Sequence, residues 1–330
     1  MKRNIVRPVR PLCALIVAAG AAAQEIPTTL EVDVENWVVY VYDVTDHSKM
    51  ARSPGPLTAS RPENFGTSIG IADVTTINGS PAKGVMVFQG QGIYLRPTPT
   101  PGQAIGDVTR DACMFWRWEF LKSDGSQIGS VFALGLSMGT PPPGSPLGSA
   151  AANNAITGGT GAFIGAKGTQ TNAGVNYRFA SQAEDPSMRR TNGGGKGRFL
   201  LQIWPMFRPE ILVTPAGPTV FHLDFSPVTS DRPAQRGEIL IVYAKGLGPT
   251  SPGVNPGDLF PLEALAVATS PVEVLVDGKA SPAINQVGVP GTTDTYRVDF
   301  RVPDTAAAGM VPIQVSAAWV KGTAVRIPVR

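Results

Sequence analysis

Apolar and polar residues alternate with a period of two along much of the chain. Leu30-Glu31-Val32-Asp33-Val34-Glu35 alternates strictly. Successive side chains of an extended strand point to opposite faces, so this spacing predicts one buried aliphatic face and one wet acidic face. Trp37 to Val44 continues as an aromatic and β-branched run. Similar runs predict strands over residues 68–77, 84–95, 112–121, 129–138 and 162–170. A second series covers 238–244, 272–276, 296–302, 311–317 and 324–329. No long segment carries the 3.6-residue period of a helix.

Turn residues separate these runs. Asn78-Gly79-Ser80-Pro81 reads as a turn, and Lys122-Ser123-Asp124-Gly125 as a hairpin connection with Gly125 at positive φ. Residues 53–62 are Pro-rich and read as a loop. Thr140-Pro141-Pro142-Pro143-Gly144 and the Ala/Asn segment after it read as a longer one. Residues 188–198 are basic and Gly-rich; Gly195-Lys196 lacks the spacing, the following Ser or Thr and the helix of a phosphate loop, so a hairpin or loop is expected. The prolines between 205 and 218 mark a junction. The expected fold is all-β: a small antiparallel closed barrel over 24–207 and a β-sandwich over 208–330.

The N-terminus changes the electrostatic picture. Lys2, Arg3, Arg7 and Arg10 precede an Ala-rich apolar run from Leu12 to Ala23, which ends in Ala21-Ala22-Ala23. This is the pattern of a cleaved export signal over 1–23, too short for a membrane span of about 20 residues. Cys13 lies in the wrong context for lipidation. The full chain has 28 Lys+Arg and 25 Asp+Glu; without the four basic residues of the signal the balance is 24 to 25. A nearly neutral chain offers no electrostatic footprint for nucleic acid or an anionic membrane. The expected location is periplasm, cell surface or medium. Only Cys113 remains after cleavage, so no internal disulfide is expected. Beside Met114 and Phe115, Cys113 is expected to be a small buried apolar residue.

Two segments resemble known families. Ala155-Ile156-Thr157-Gly158-Gly159-Thr160-Gly161-Ala162-Phe163-Ile164-Gly165-Ala166-Lys167-Gly168 resembles a glycine-rich signature of the allene oxide cyclase and dirigent superfamily. That resemblance implies a small closed barrel with a largely apolar cavity. Residues 233–330 resemble an immunoglobulin-like, IPT/TIG-related module of secreted soil-bacterial proteins. The matching features are Tyr243-Ala244-Lys245-Gly246-Leu247-Gly248-Pro249, Asp277-Gly278-Lys279 and Tyr296-Arg297-Val298-Asp299-Phe300. This second resemblance implies a non-catalytic accessory module.

Candidate chemistry is sparse. The two histidines, His47 and His222, fall in different modules. Asp43, Asp46 and His47 match no metal spacing, so neither metal nor cofactor is expected. No nucleophile elbow is present. On Met114-Phe115-Trp116-Arg117-Trp118-Glu119-Phe120 the wholly apolar set is Met114, Trp116, Trp118 and Phe120. These four are the expected cavity lining, with Arg117 and Glu119 paired outside. On the next strand Phe132, Leu134, Leu136 and Met138 are the expected facing layer, and the small residues Ala133 and Gly135 between them could leave room for a ligand if they reach the lumen. Glu31, Asp33, Glu35, Arg117 and Glu119 would matter catalytically only if they faced the lumen, where desolvation raises a carboxylate pKa. The leading expectation is a binding or accessory protein for a small hydrophobic ligand, with a protein or cell-surface partner left open. A cofactor-free isomerase or cyclase, a dirigent-type guide and a purely structural surface protein are the alternatives.

Overall fold

A computed structural model describes residues 27–42, 53–57, 65–93, 111–137, 152–205 and 207–330. The predicted export signal, Asp43, Asp46, His47, Met138 and the proline run at 141–143 lie outside these residues. The first half contains β1 (Thr28–Val41), β2 (Phe65–Ile77), β3 (Ser80–Ile93), β4 (Asp111–Leu121) and β5 (Gln127–Ser137). It continues with β6 (Ala152–Gly161), β7 (Lys167–Asn176), β8 (Arg178–Ser181) and β9 (Gly195–Trp204). The sheet runs β2-β3-β4-β5-β6-β7-β9-β1, and β1 pairs back onto β2. Eight antiparallel strands thus close into a barrel, which leaves no free sheet edge in the wall. Strand β8 attaches outside the ring, parallel to β1. The closed barrel implied by the glycine-rich segment is the observed architecture.

The strand alternation decides what enters the lumen. Leu30, Val32 and Val34 are buried, while Glu31, Asp33 and Glu35 face outward. Asn36 then adopts a left-handed φ of 53°, and the β1–β2 register shifts between Glu35 and Val38. An inserted residue exchanges the two faces of a strand. Past this bulge Trp37, Val39 and Val41 join the lumen cluster. Val38 and Tyr40 move to the outer side and pack with Ala180.

Three sequence expectations need correction here. Residues 162–170 are not one strand, and the Asn-rich segment before them is not loop. The strand is β6, which ends at Gly161. A tight turn follows, with Phe163 N–H donating to Thr160 C=O at 3.1 Å and Ala166 N–H to Phe163 C=O at 3.0 Å. Gly161 and Gly165 take φ of 59° and 69°, a region open to them for want of a Cβ. The glycines therefore make a hairpin corner rather than a curved strand. The basic 188–198 segment is likewise not all loop: a 3₁₀ turn at Pro186–Met188 precedes β9, which starts at Gly195.

The second half forms separate sheets. One contains Ile239–Lys245, Tyr296–Arg301 and Asn285–Gly288; another contains Val272–Val276, Gly309–Ala317 and Val325–Val329. Leu240, Val242, Val298 and Phe300 of the first share a core with Val274, Ile313, Val315 and Ile327 of the second. Glu210–Ile211 and Val220–His222 already pair with Ile239–Lys245, so part of the Pro-rich junction belongs to this sheet. His222 is buried there, with Nδ1 2.6 Å from Glu238 Oε1 and Nε2 3.2 Å from the Arg232 carbonyl oxygen. It anchors a strand.

Candidate functional site: the barrel lumen

The four expected cavity residues all face inward. Met114, Trp116, Trp118 and Phe120 are buried on alternate positions of β4. Cross-strand register places them in successive rows. Phe120 pairs with Gly84 and Gly129, Trp118 with Met86 and Val131, Trp116 with Phe88 and Ala133, and Met114 with Gly90 and Gly135. The opposite set behaves as period two requires: Arg117 and Glu119 form an exterior ion pair at 3.6 Å. Cys113 also falls on that set and is exposed, which corrects the expectation of a buried thiol.

Large rings fill the middle of the lumen by lying over small residues. Phe199 is the hub, with ring centroids 5.3 Å from Trp37, 5.6 Å from Trp116 and 4.9 Å from Trp118. Phe88 and Trp116 lie 4.6 Å apart. A Cβ added to Gly70 would stand 1.9 Å from the Phe88 ring, so this glycine is what admits Phe88. Such tilted and edge-on pairs are favoured by the ring quadrupoles. On β5 the inward residues are Val131 and Ala133, both fully buried, while Phe132 stacks on Phe115 and Leu134 is exposed on the opposite face, which corrects the expected facing layer; Ala133 lies covered beside Trp116.

The interior also contains polar atoms. The Trp118 indole donates to Gln170 Oε1 at 2.7 Å. Gln170 Nε2, Trp37 Nε1, Trp116 Nε1 and both amide atoms of Asn154 are buried without a hydrogen-bond partner. Asn154 and Gln170 sit opposite each other on β6 and β7, and Asn154 sits opposite Gly135. None of these side chains is more than 3% exposed. Each unsatisfied buried group costs about 1–3 kcal/mol, which native folds seldom tolerate without water or a ligand to meet it. One register step beyond Met114 and Asn154, the strands carry Gly66, Gly92, Ala112, Ser137 and Ala152 in a single cross-strand row.

Among the described residues, the buried positions of the barrel strands include no Asp, Glu, Lys, Arg or His. The three carboxylates of β1 line an open exterior groove of about 550 Å³ or lie beside it, with Thr76, Asn176 and Lys196. Their charges are matched there. Arg198 donates to Asp33 at 2.7 Å and lies 2.9 Å from Glu31, while Lys196 donates to Glu35 at 2.6 Å. The Arg198 hydrogen bond holds the Asp33 carboxyl below its ordinary pKa. A second charged cluster straps the segment around β8 to the outer wall. Arg178 grips the fully buried Glu184 through two bonds of 2.6 and 2.9 Å, and Arg189 and Arg190 both reach Asp73. Burial alone would raise the pKa values of Glu184 and Asp73, but these arginine contacts prevail and lower both.

The sequence pointed to the β4 face and missed Asn154, Gln170 and Trp37. Asn154 was hidden by reading its segment as loop, and Trp37 by the bulge at Asn36. Gln170 carried a usable signal, being a long polar residue in a strand segment rich in Gly and Thr.

No protein-family model matches the chain, and no curated protein matches it. Among solved structures, the chain is similar to the pterocarpan synthase dirigent protein GePTS1. The two share 14% identity and a TM-score of 0.28, over 54% of this chain and 87% of that one.

Proposed function

We propose that the barrel is a binding module for one small, uncharged, mainly apolar molecule that carries hydrogen-bond acceptors. The observation that carries this reading is the set of unpartnered polar atoms of Trp37, Trp116, Asn154 and Gln170, in an interior whose described residues hold no charged group. Four of these five atoms are N–H donors, so an oxygen-bearing ligand would satisfy them, while the surrounding rings would cover its apolar body. The ligand would sit against Met114, Trp116 and Trp118, beside Asn154 and Gln170. Phe120 would close the far end. A lumen without a charged acid or base favours binding over isomerase or cyclase chemistry, which would need a positioned proton donor or acceptor. The ring-packed middle would suit a purely structural barrel, but such a barrel leaves the polar end unexplained.

The rest of the reading follows from sequence features. Residues 1–23 would export the chain, and the second half would act as an immunoglobulin-like accessory module. The test is titration of the full chain with N-phenylnaphthylamine, read by its own emission and by tryptophan quenching. Saturable binding that weakens in Trp116→Phe and Asn154→Leu is expected. Absence of saturable binding, or equal binding by both variants, overturns the reading.

A further inference from the structure

The barrel end opposite Asn154 carries several glycines. Its lumen row reads Val74, Gly84, Phe120, Gly129 and Gly161. The three glycines in that row contribute no side chain to the end. Phe163 enters from the β6–β7 turn, its ring centroid 5.4 Å from that of Phe120. The remaining ring comes from the second half of the chain. Gly309–Ala317 and Val320–Lys321 form a hairpin closed by the pair Ala317 and Val320, so Ala318 and Trp319 are its two-residue tip. Trp319 lies edge-on to Phe120 at 5.8 Å; Ala318 belongs to the barrel's apolar cluster, and Trp319, partly buried, packs against it.

The tip is an unfavourable place for these residues. Ala318 and Trp319 take φ of 47° and 65°, where Asn and Gly are the usual occupants of such a turn. A side chain with a Cβ is strained there, and such strain persists only where surrounding structure imposes it. Ala318 is held by an N–H bond of 2.9 Å to the Pro271 carbonyl and is almost fully buried. The turn itself needs no indole. The barrel end does, because Trp319 covers what the glycine row leaves open.

We propose that Trp319 is the floor of the lumen, a residue of the second half that sets the depth of the site in the first. This inference rests on the ligand-binding reading for its consequence, but not for the seal itself. Without Trp319 this end of the barrel would lose its cover, water and quenchers would reach Trp118 from below, and Phe120 could swing aside to admit a longer ligand.

The test compares full-length Trp319→Phe, which keeps a ring, with Trp319→Ala. Acrylamide quenching of the remaining tryptophans should rise severalfold in W319A and stay near the wild-type level in W319F. Relative affinity should shift severalfold toward the longer diphenylhexatriene and away from N-phenylnaphthylamine in W319A alone. Equal quenching in the two variants overturns the floor. Raised quenching with an unchanged probe preference overturns its role in setting depth. Raised quenching with no probe bound by any form, wild type included, leaves the seal standing and sinks the binding reading. If W319A does not fold, Trp319→Leu takes its place, with the same outcomes deciding.

Discussion

The two apolar cores of this chain are built differently. The core of the second half is mostly aliphatic, with Val, Ile and Leu from two facing sheets around Phe260, Tyr296 and Phe300. The barrel core sets seven Trp and Phe rings among its Val, Ile and Leu side chains, some of them lying over glycines, and it encloses unpartnered amide and indole atoms. Aliphatic side chains interdigitate to native density. Large rings over small residues fill space in bulky steps, and the polar atoms near them mark where filling stops. A core that only supports the fold gains nothing from Asn154 and Gln170. A core that holds a ligand needs them.

The largest expected effects test whether the two cores are energetically alike but functionally distinct. Trp118→Ala in the barrel and Phe300→Ala in the second half should each destabilise by about 3–5 kcal/mol, measured by denaturant unfolding. Only Trp118→Ala should also abolish probe binding. If Phe300→Ala abolishes it equally under conditions where the chain stays folded, the cores are not functionally separable.

The outer strap gives the next effect. Glu184→Gln leaves Arg178 without its carboxylate and should cost about 3 kcal/mol, the low end for a broken buried pair because Arg178 is partly exposed. Acid should act in the same direction. Glu184 and Asp73 have folded pKa values below their unfolded ones, so their contribution is complete above the ordinary carboxylate range and is lost as pH falls through the lowered values. Asp294, in the second half, has the opposite sign. Burial raises its pKa, so its ionisation weakens the fold as pH rises past its unfolded value, and acidification relieves that. The barrel should therefore lose structure first in a titration from about pH 6 to about pH 2.5, followed by near-ultraviolet circular dichroism of its tryptophans. Simultaneous loss in both halves would contradict the assignment.

A smaller effect has the reverse sign. Asn154→Leu removes two unsatisfied buried polar atoms while nearly preserving shape, and should stabilise the ligand-free chain by about 1 kcal/mol while weakening the probe. Destabilisation would show that the amide is satisfied in solution and is structural. The smallest effect is expected at the exterior pair: Arg117→Ala should change stability by no more than about 0.5 kcal/mol, because Arg117 is half exposed and the pair is 3.6 Å apart.

Much of the wall was legible along the chain, and the reason is local. Period-two alternation is a property of a strand by itself, so β4 announced both its lumen face, Met114 to Phe120, and the exterior pairing of Arg117 with Glu119. The same rule also placed Cys113 outside, where the apolar character of its neighbours had suggested burial. What alternation alone could not decide was set by long-range pairing. The bulge at Asn36 moved Trp37 into the lumen because β2 and β9 fix the β1 register on both sides. Asn154 and Gln170 became a buried pair only when β6 met β7. Trp319, two hundred residues from Phe120 along the chain, reaches the barrel floor through a hairpin whose own sequence favours no such turn. Strand faces follow from the geometry of one extended backbone, so the sequence by itself determined them. Which rings, amides and glycines share an interior depends on closure and docking, and only the tertiary structure decided that.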